Sequence, residues 1–315
     1  MPPNFFIVGA PKAGTTSLYH YLDQHPQIYM CPIKEPCHFA PEVMPENFSP
    51  KYRGVFDAGE MQAYLRGPGR GGAAREQRFS GYVPNWADYL SLFEDVMDET
   101  AIGEASVCYL WSPNAARNIA ARLPNARIVA LLRHPAERAW SQYQHCVANG
   151  HVEKSFRQQI EACLQSRGGQ FSPAYPFLEF GLYFSQLRGY FELFPRKNVR
   201  VCFYQDGLAS IVADLFRFLN VDPDFQVNFA SKHLDSATAE APTMVYQALR
   251  KSGLWLPLRK LAPRRIRSAL RKLAFRKRAV TSMQEEDRRF LCQYYREDIL
   301  NLSKLLERDL TSWLV

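Results

Sequence analysis

The stretch 5–22, FFIVGAPKAGTTSLYHYL, constrains the fold more than any other part of the chain. An apolar run of strand length enters a Gly-Ala-Pro-Lys-Ala-Gly turn, and Thr15 and Thr16 then open a helical pattern. A strand passing through a glycine-bounded turn into a helix gathers backbone N–H groups and the positive end of the helix dipole at one point. That is a cradle for an anion. Against the pattern GxxxxGK[ST], Gly9, Gly14 and Thr16 fit, but Thr15 holds the lysine slot and Lys12 supplies the cation from within the turn. In triphosphatases that lysine reaches the β- and γ-phosphates of a Mg²⁺-bound nucleotide. Here the cation arises beside the anion that the loop would hold. The plainer alternative is a strand-to-helix turn with no ligand.

The rest of the chain repeats the strand-then-helix rhythm. Short apolar runs at 101–105, 127–132 (RIVALL) and 199–204 (VRVCFY) alternate with helical patterns at 85–94, 114–123, 135–148 and 211–219. Strands that are hydrophobic nearly throughout are buried on both faces, so the expected architecture is α/β, with a mostly parallel sheet between two helical layers. The stretch 28–36 reads as a Pro-punctuated loop, and 284–310 as a long amphipathic helix that docks on the core. One domain is expected over 1–315, with a Pro-, Gly- and Arg-rich surface insertion at 41–82.

A second anion site is expected at RIVALLRHPAERAWSQY. Arg133 stands at the carboxyl end of a buried strand, where open α/β sheets bind ligands. Pro135 suits the first helical turn, and Ser141 lies about two turns further on. A strand-end salt bridge is the alternative for Arg133. Two anion sites on successive strand–helix crossings imply a nucleotide with phosphate at both ends of its ribose.

Charge and cysteine usage narrow the class. Twelve Lys and Arg and no acidic residue fall within 250–278, more than the whole chain's net charge of +8, so the remainder is net acidic. That segment suits a lid, a surface for an anionic acceptor, a peripheral membrane patch or a solvated helix face. No nucleic-acid motif accompanies it, so nucleic-acid binding is not expected. Seven scattered cysteines without a CxxC pair argue against a structural zinc site. A start without a signal-peptide pattern, and no run of about 18 apolar residues, lead to the expectation of a cytoplasmic protein.

Together these segments resemble the PAPS-dependent sulfotransferase family, nearest its bacterial and heparan-sulfate-type branch. GAPKAGTTSL is similar to the family's 5′-phosphosulfate loop, which implies donor contacts from Lys12, Ala13, Gly14, Thr15, Thr16 and Ser17. RIVALLRHPAERAWSQY resembles its 3′-phosphate motif, implying contacts from Arg133 and Ser141, and Lys232 resembles a late lysine that touches the nucleotide in some members. KEPCHF (34–39) resembles the element that carries the catalytic carboxylate. GEASVCYL, GLYFSQLRGYFELFP and LLERDLTSWL follow in the family's order, although Ala105 stands where heparan-sulfate-type members often have lysine.

The resemblance implies metal-free transfer of a sulfuryl group from PAPS to a hydroxyl or amine of a carbohydrate or small-molecule acceptor, releasing PAP. Lys12 and the loop N–H groups would stabilise the leaving phosphate. Glu35 is the first candidate for the base, with His38 and Glu104 as alternatives; the competing reading of Glu35 is an ion pair with Lys34. A P-loop small-molecule kinase and a catalytically degenerate PAP-binding protein are the rival functions.

Overall fold

The structure is a computed structural model, and it describes residues 1–48, 78–79, 81–149, 151–166, 170–172, 175–230, 240–242, 249, 252, 275–277 and 282–315. In chain order the elements are β1 (Phe5–Gly9), α1 (Thr15–Leu22), β2 (Ile28–Met30), β3 (Ile33–Lys34), β4 (Arg78–Phe79), α2 (Trp86–Ser91), β5 (Ala101–Ala105), α3 (Ala115–Arg122) and β6 (Arg127–Leu132). There follow α4 (Pro135–Ala148), α5 (Phe156–Gln165), α6 (Tyr183–Leu193), β7 (Val199–Phe203), α7 (Leu208–Leu219), β8 (Glu240–Pro242), β9 (Phe275–Lys277) and α8 (Glu285–Leu306). Most of the expected insertion, Lys232 and most of the basic stretch lie outside the described residues.

Five parallel strands form the central sheet in the order β2-β5-β1-β6-β7, flanked by helices in an α/β/α arrangement. The expected sheet strands at 101–105 and 127–132 are found with those bounds, and α4 starts with Pro135 at its first position. Residues 28–30, read as loop, instead pair with β5 as an edge strand. Three residues are too few for a hydrophobic period to register in sequence.

β1 is the centre because every one of its side chains is buried, as a strand packed on both faces requires. Its Phe5 ring lies across Gly103 of β5, where a Cβ would come within 2.1 Å of the ring. α7 buries Ile211, Val212, Leu215, Phe216 and Leu219 on one face and packs near α1. On a second helical layer α8 packs against α6 and α4, burying Leu291, Tyr295, Ile299 and Leu302. This is the docking expected for the C-terminal helix.

The chain leaves β1 toward β2 and β5 on one side, then crosses to β6 and β7 on the other. The strand order therefore reverses at β1, and the carboxyl edge beside it is where such sheets hold ligands.

Candidate active site

The turn after β1 is shaped by left-handed backbone at two positions. Lys12 has φ 65° and Gly14 φ 95°, and Gly14 forms the N-cap of α1 without a side-chain cap. Left-handed backbone at Gly14 costs little, and a Cβ there would also meet the Tyr204 ring at 3.0 Å. Among the described residues the N–H groups of Gly14, Thr15 and Thr16 have no acceptor, as expected at an uncapped helix start. Thr15 is buried, while Thr16 and Ser17 are half-buried.

Lys12 stands in the middle of this turn. Burial pushes its ammonium below the usual lysine range, with Cys146 and Glu35 opposing the shift and Lys34 and Arg133 adding to it. Among the described residues the ammonium has no hydrogen-bond or ion-pair partner. A desolvated cation surrounded by unbonded N–H groups is what an oxyanion would satisfy. Arg133, just past β6, joins it: its Nη1 donates to the Lys12 carbonyl at 3.4 Å, and its guanidinium lies 5.3 Å from the Tyr204 ring centre. Arg133 also approaches Glu137 at 3.8 Å, so the strand-end ion pair is present alongside. The Tyr183 hydroxyl donates to the Arg133 carbonyl at 2.8 Å, and Ser141 is buried on α4. Arg138 turns away from this edge: fully buried, it donates to the Phe177 carbonyl at 2.6 Å and to Gln142 at 2.5 Å.

The loop after β3 carries Glu35. Its N–H donates to the Ala105 carbonyl at 2.8 Å, which ties the loop to the end of β5. Gly81 N–H donates to the Glu35 carbonyl and Val83 N–H to that of Pro36, both at 2.9 Å. Glu35 (φ 70°) and Cys37 (φ 52°) are both left-handed, a conformation that costs a side-chain-bearing residue about 1–3 kcal/mol. The Lys34 ammonium sits 2.7 Å from Glu35 Oε1, with Lys34 4% and Glu35 30% exposed. The expected ion pair therefore exists, and it still leaves Glu35 the accessible member. Cys37 and Cys108 are buried thiols whose sulfurs lie 3.4 Å apart.

His38 and Glu104, the alternative bases, occupy different surroundings. His38 is stacked on Tyr89 at 4.5 Å and 19° and contacts Phe39 and Trp86; its Nδ1 is 2.8 Å from the Val83 carbonyl, so Nδ1 carries the proton. Burial holds it below the usual histidine range. Glu104 on β5 is 0% exposed and accepts hydroxyl hydrogen bonds from Ser106 (2.5 Å), Tyr89 (2.5 Å) and Tyr109 (3.2 Å). Burial pushes its carboxyl up to about 7, the three hydroxyls pull it down, and Glu35 adds to the rise. With no exposed atom, Glu104 does not present itself to an acceptor.

Ser106, Tyr204 and the buried Lys34 belong to this region and were not singled out as site residues in the sequence. Only the nearness of Lys34 to Glu35 was visible there. A cavity of about 680 Å³ lies beyond the turns that continue the Glu35 loop, lined among others by Glu42, Glu46, Glu179, Trp111, Phe171 and Tyr175. Glu42 accepts from Ser112 and from Asn114, both at 2.6 Å. Among the described residues no group of three side chains is arranged to hold a metal ion, and no helix is long and apolar enough to cross a membrane.

A parallel sheet whose central strand ends in an N–H-lined turn, with two cations at the same edge, defines a P-loop-like α/β/α protein. Comparison with known proteins narrows this. The model of the sulfotransferase family matches residues 3–172, and that of the sulfotransferase domain residues 112–299. The chain belongs to the sulfotransferase family. Human carbohydrate sulfotransferase 15 is 25% identical over 70% of this chain and 44% of its own length. Human bifunctional heparan sulfate N-deacetylase/N-sulfotransferase 3 is 25% identical over 99% of this chain and 31% of its own length. The chain thus spans less than half the length of these curated relatives. A sulfotransferase structure from Alicyclobacillus acidocaldarius superposes with a TM-score of 0.69 at 28% identity, covering 99% of each chain.

Proposed function

We propose that this chain, as one domain over 1–315, transfers the sulfuryl group of PAPS to a hydroxyl or amine of a carbohydrate or small-molecule acceptor and releases PAP. The observation that carries this reading is the pairing, at one sheet edge, of a desolvated Lys12 among unbonded N–H groups with an accessible Glu35. The acceptor oxygen or nitrogen attacks sulfur in line as the bond from sulfur to the 5′-phosphate oxygen breaks. Glu35 takes the acceptor's proton. Lys12 and the N–H groups of Gly14, Thr15 and Thr16 take up the charge growing on the leaving phosphate, with Ala13 and Ser17 as further donor contacts. Arg133 and Ser141 hold the 3′-phosphate, with Lys232 as a further contact. Lys34 keeps the Glu35 carboxylate in one position while the acceptor enters.

The aromatic and carboxylate lining of the neighbouring cavity supports an acceptor rich in hydroxyls or bearing an amine. Its volume falls in the range of small-molecule sites. The basic 250–278 segment is assigned to contacts with an anionic acceptor or a membrane surface. The free thiols of all seven cysteines support a reducing, cytoplasmic setting.

Two measurements test the function. Calorimetry with PAP and with Mg²⁺-ATP separates it from a kinase: metal-free PAP binding is expected, and preference for Mg²⁺-ATP defeats the reading. Incubation with ³⁵S-PAPS and a panel of sugars, amino sugars and phenols is expected to label an acceptor. PAP binding without any labelled product favours the degenerate nucleotide-binding protein instead.

A further inference from the structure

The deepest charged group at this edge has no direct access to either substrate. Glu104 is wholly enclosed, yet three hydroxyls converge on it. An ionised carboxylate only accepts hydrogen bonds, so Ser106, Tyr89 and Tyr109 each point their single proton at it. That leaves the oxygen lone pairs of Ser106 and Tyr109 facing the other way. Both are used: Cys37 N–H donates to Ser106 Oγ at 3.1 Å, and Phe39 N–H donates to the Tyr109 hydroxyl oxygen at 3.2 Å. The third hydroxyl, Tyr89, belongs to the ring stacked on His38 between them. Three successive residues of the loop are thereby referred to one carboxylate.

We propose that Glu104 is the positioning residue of the site: its negative charge sets the direction of two hydroxyl relays, and these hold the loop that presents Glu35. The inference rests on the sulfotransfer reading above. The loop needs such a hold, because Glu35 and Cys37 occupy left-handed backbone that side-chain-bearing residues abandon unless neighbours impose it. A carboxylate in an apolar interior is also an expensive choice if packing were its whole purpose.

Charge state is central to the relay. Among the described residues the groups facing Glu104 are Tyr89 from α2, Ser106, Cys108 and Tyr109 from the turn after β5, Glu35 from the loop, and Tyr190 from α6. None of these supplies a positive charge. A proton on Glu104 turns one of its oxygens into a donor, and a hydroxyl that had pointed at that oxygen must redirect its own proton. If that hydroxyl is Ser106 or Tyr109, its proton meets a loop N–H and the relay opens. Glu104→Gln does the same at every pH, because the amide nitrogen donates where an oxygen accepted.

The test uses the full chain and four readouts. For Glu104→Gln, kcat with ³⁵S-PAPS is expected to fall about 100-fold, the scale of a misplaced reacting group, with PAP affinity within about twofold of wild type. The wild-type rise in kcat as pH climbs through about 7 is expected to vanish in the variant, since burial places Glu104 there. Amide exchange at Cys37 and Phe39 is expected to quicken about tenfold or more, as a lost relay bond of this size implies. Ser106→Ala and Tyr109→Phe remove one relay each and are expected to cost about 5- to 10-fold in kcat, without further loss when combined with Glu104→Gln. Wild-type kcat, pH profile and loop exchange in Glu104→Gln overturn the proposal. So does a general loss of PAP binding and Tm that accounts for the slower turnover. Should Glu104→Gln fail to fold, wild-type kcat in both single-relay variants overturns it. Amide exchange needs no turnover, so a wild-type chain that transfers nothing defeats the functional reading and leaves the relay to be judged by exchange alone.

Discussion

The turn after β1 and the loop after β3 meet at one sheet edge but are built by opposite means. The turn is open: the N–H groups of Gly14, Thr15 and Thr16 and the Lys12 ammonium have no partners among the described residues. The loop is closed: the N–H groups of Glu35, Cys37 and Phe39 are each bonded, two of them to hydroxyls that answer to Glu104. An anion whose charge must be met can be met by unused donors. A base that must stand in one place has to be held by used ones. In the functional reading, the first region binds and stabilises the donor, and the second aims Glu35 at the acceptor.

Substitutions that separate the two regions sharpen or break this contrast. Lys12→Ala is expected to have the largest effect, a drop of about 10³ in kcat, because it removes the cation facing the leaving phosphate. A retained kcat moves that role to Arg133 or Lys34. Glu35→Gln is expected to lower kcat about 100-fold at unchanged PAP affinity. If calorimetry instead shows weaker PAP binding, the two regions are not separate and the contrast fails. Arg133→Ala is expected to weaken PAP by about 2–3 kcal/mol, as for a lost charged hydrogen bond, with little change in the maximal rate at saturating PAPS. Unaltered PAP affinity removes Arg133 from the 3′-phosphate site.

The smallest effect concerns the frame of the donor edge. His134 caps α4 by accepting the Ala136 N–H at Nδ1, and burial, reinforced by Arg288, lowers its pKa to about 4. A depressed histidine pKa means the folded state prefers the neutral ring. Stability from this group is therefore complete above about pH 6.5 and is lost as pH falls through about 4. His134→Asn keeps a capping acceptor and removes the titration. Its Tm is expected to fall less than that of wild type between pH 6.5 and 4; parallel curves assign the acid sensitivity to other groups.

Much of the architecture around the turn after β1 was legible in the chain alone. The run FFIVG, the Gly9–Gly14 spacing and Pro135 at the head of α4 are local features, and each acts through residues within a turn or two. The acceptor side was legible only in part. Glu35 was marked by its motif, with Glu104 and His38 as the alternative bases. Nothing within KEPCHF or GEASVCYL indicates that one is sealed under three hydroxyls and the other stacked among aromatic rings. Those surroundings come from residues 81–83, 86–89 and 104–109, brought to the loop by the pairing of β2 with β5 and the hydrogen bonds that continue it.

The chain's periodicity and turn chemistry thus determined by themselves that there would be a parallel sheet with a glycine-bounded strand-to-helix turn after its first strand. Apolar runs and glycine spacing need no distant partner to be expressed. Tertiary structure alone decided that β1 would be central, that 28–30 would become an edge strand, that Tyr204 would cover Gly14, and that Glu104 would stand behind Glu35. Each of these depends on burial and hydrogen-bond direction between segments far apart in sequence. Such contacts acquire their chemistry only when the sheet brings the segments together.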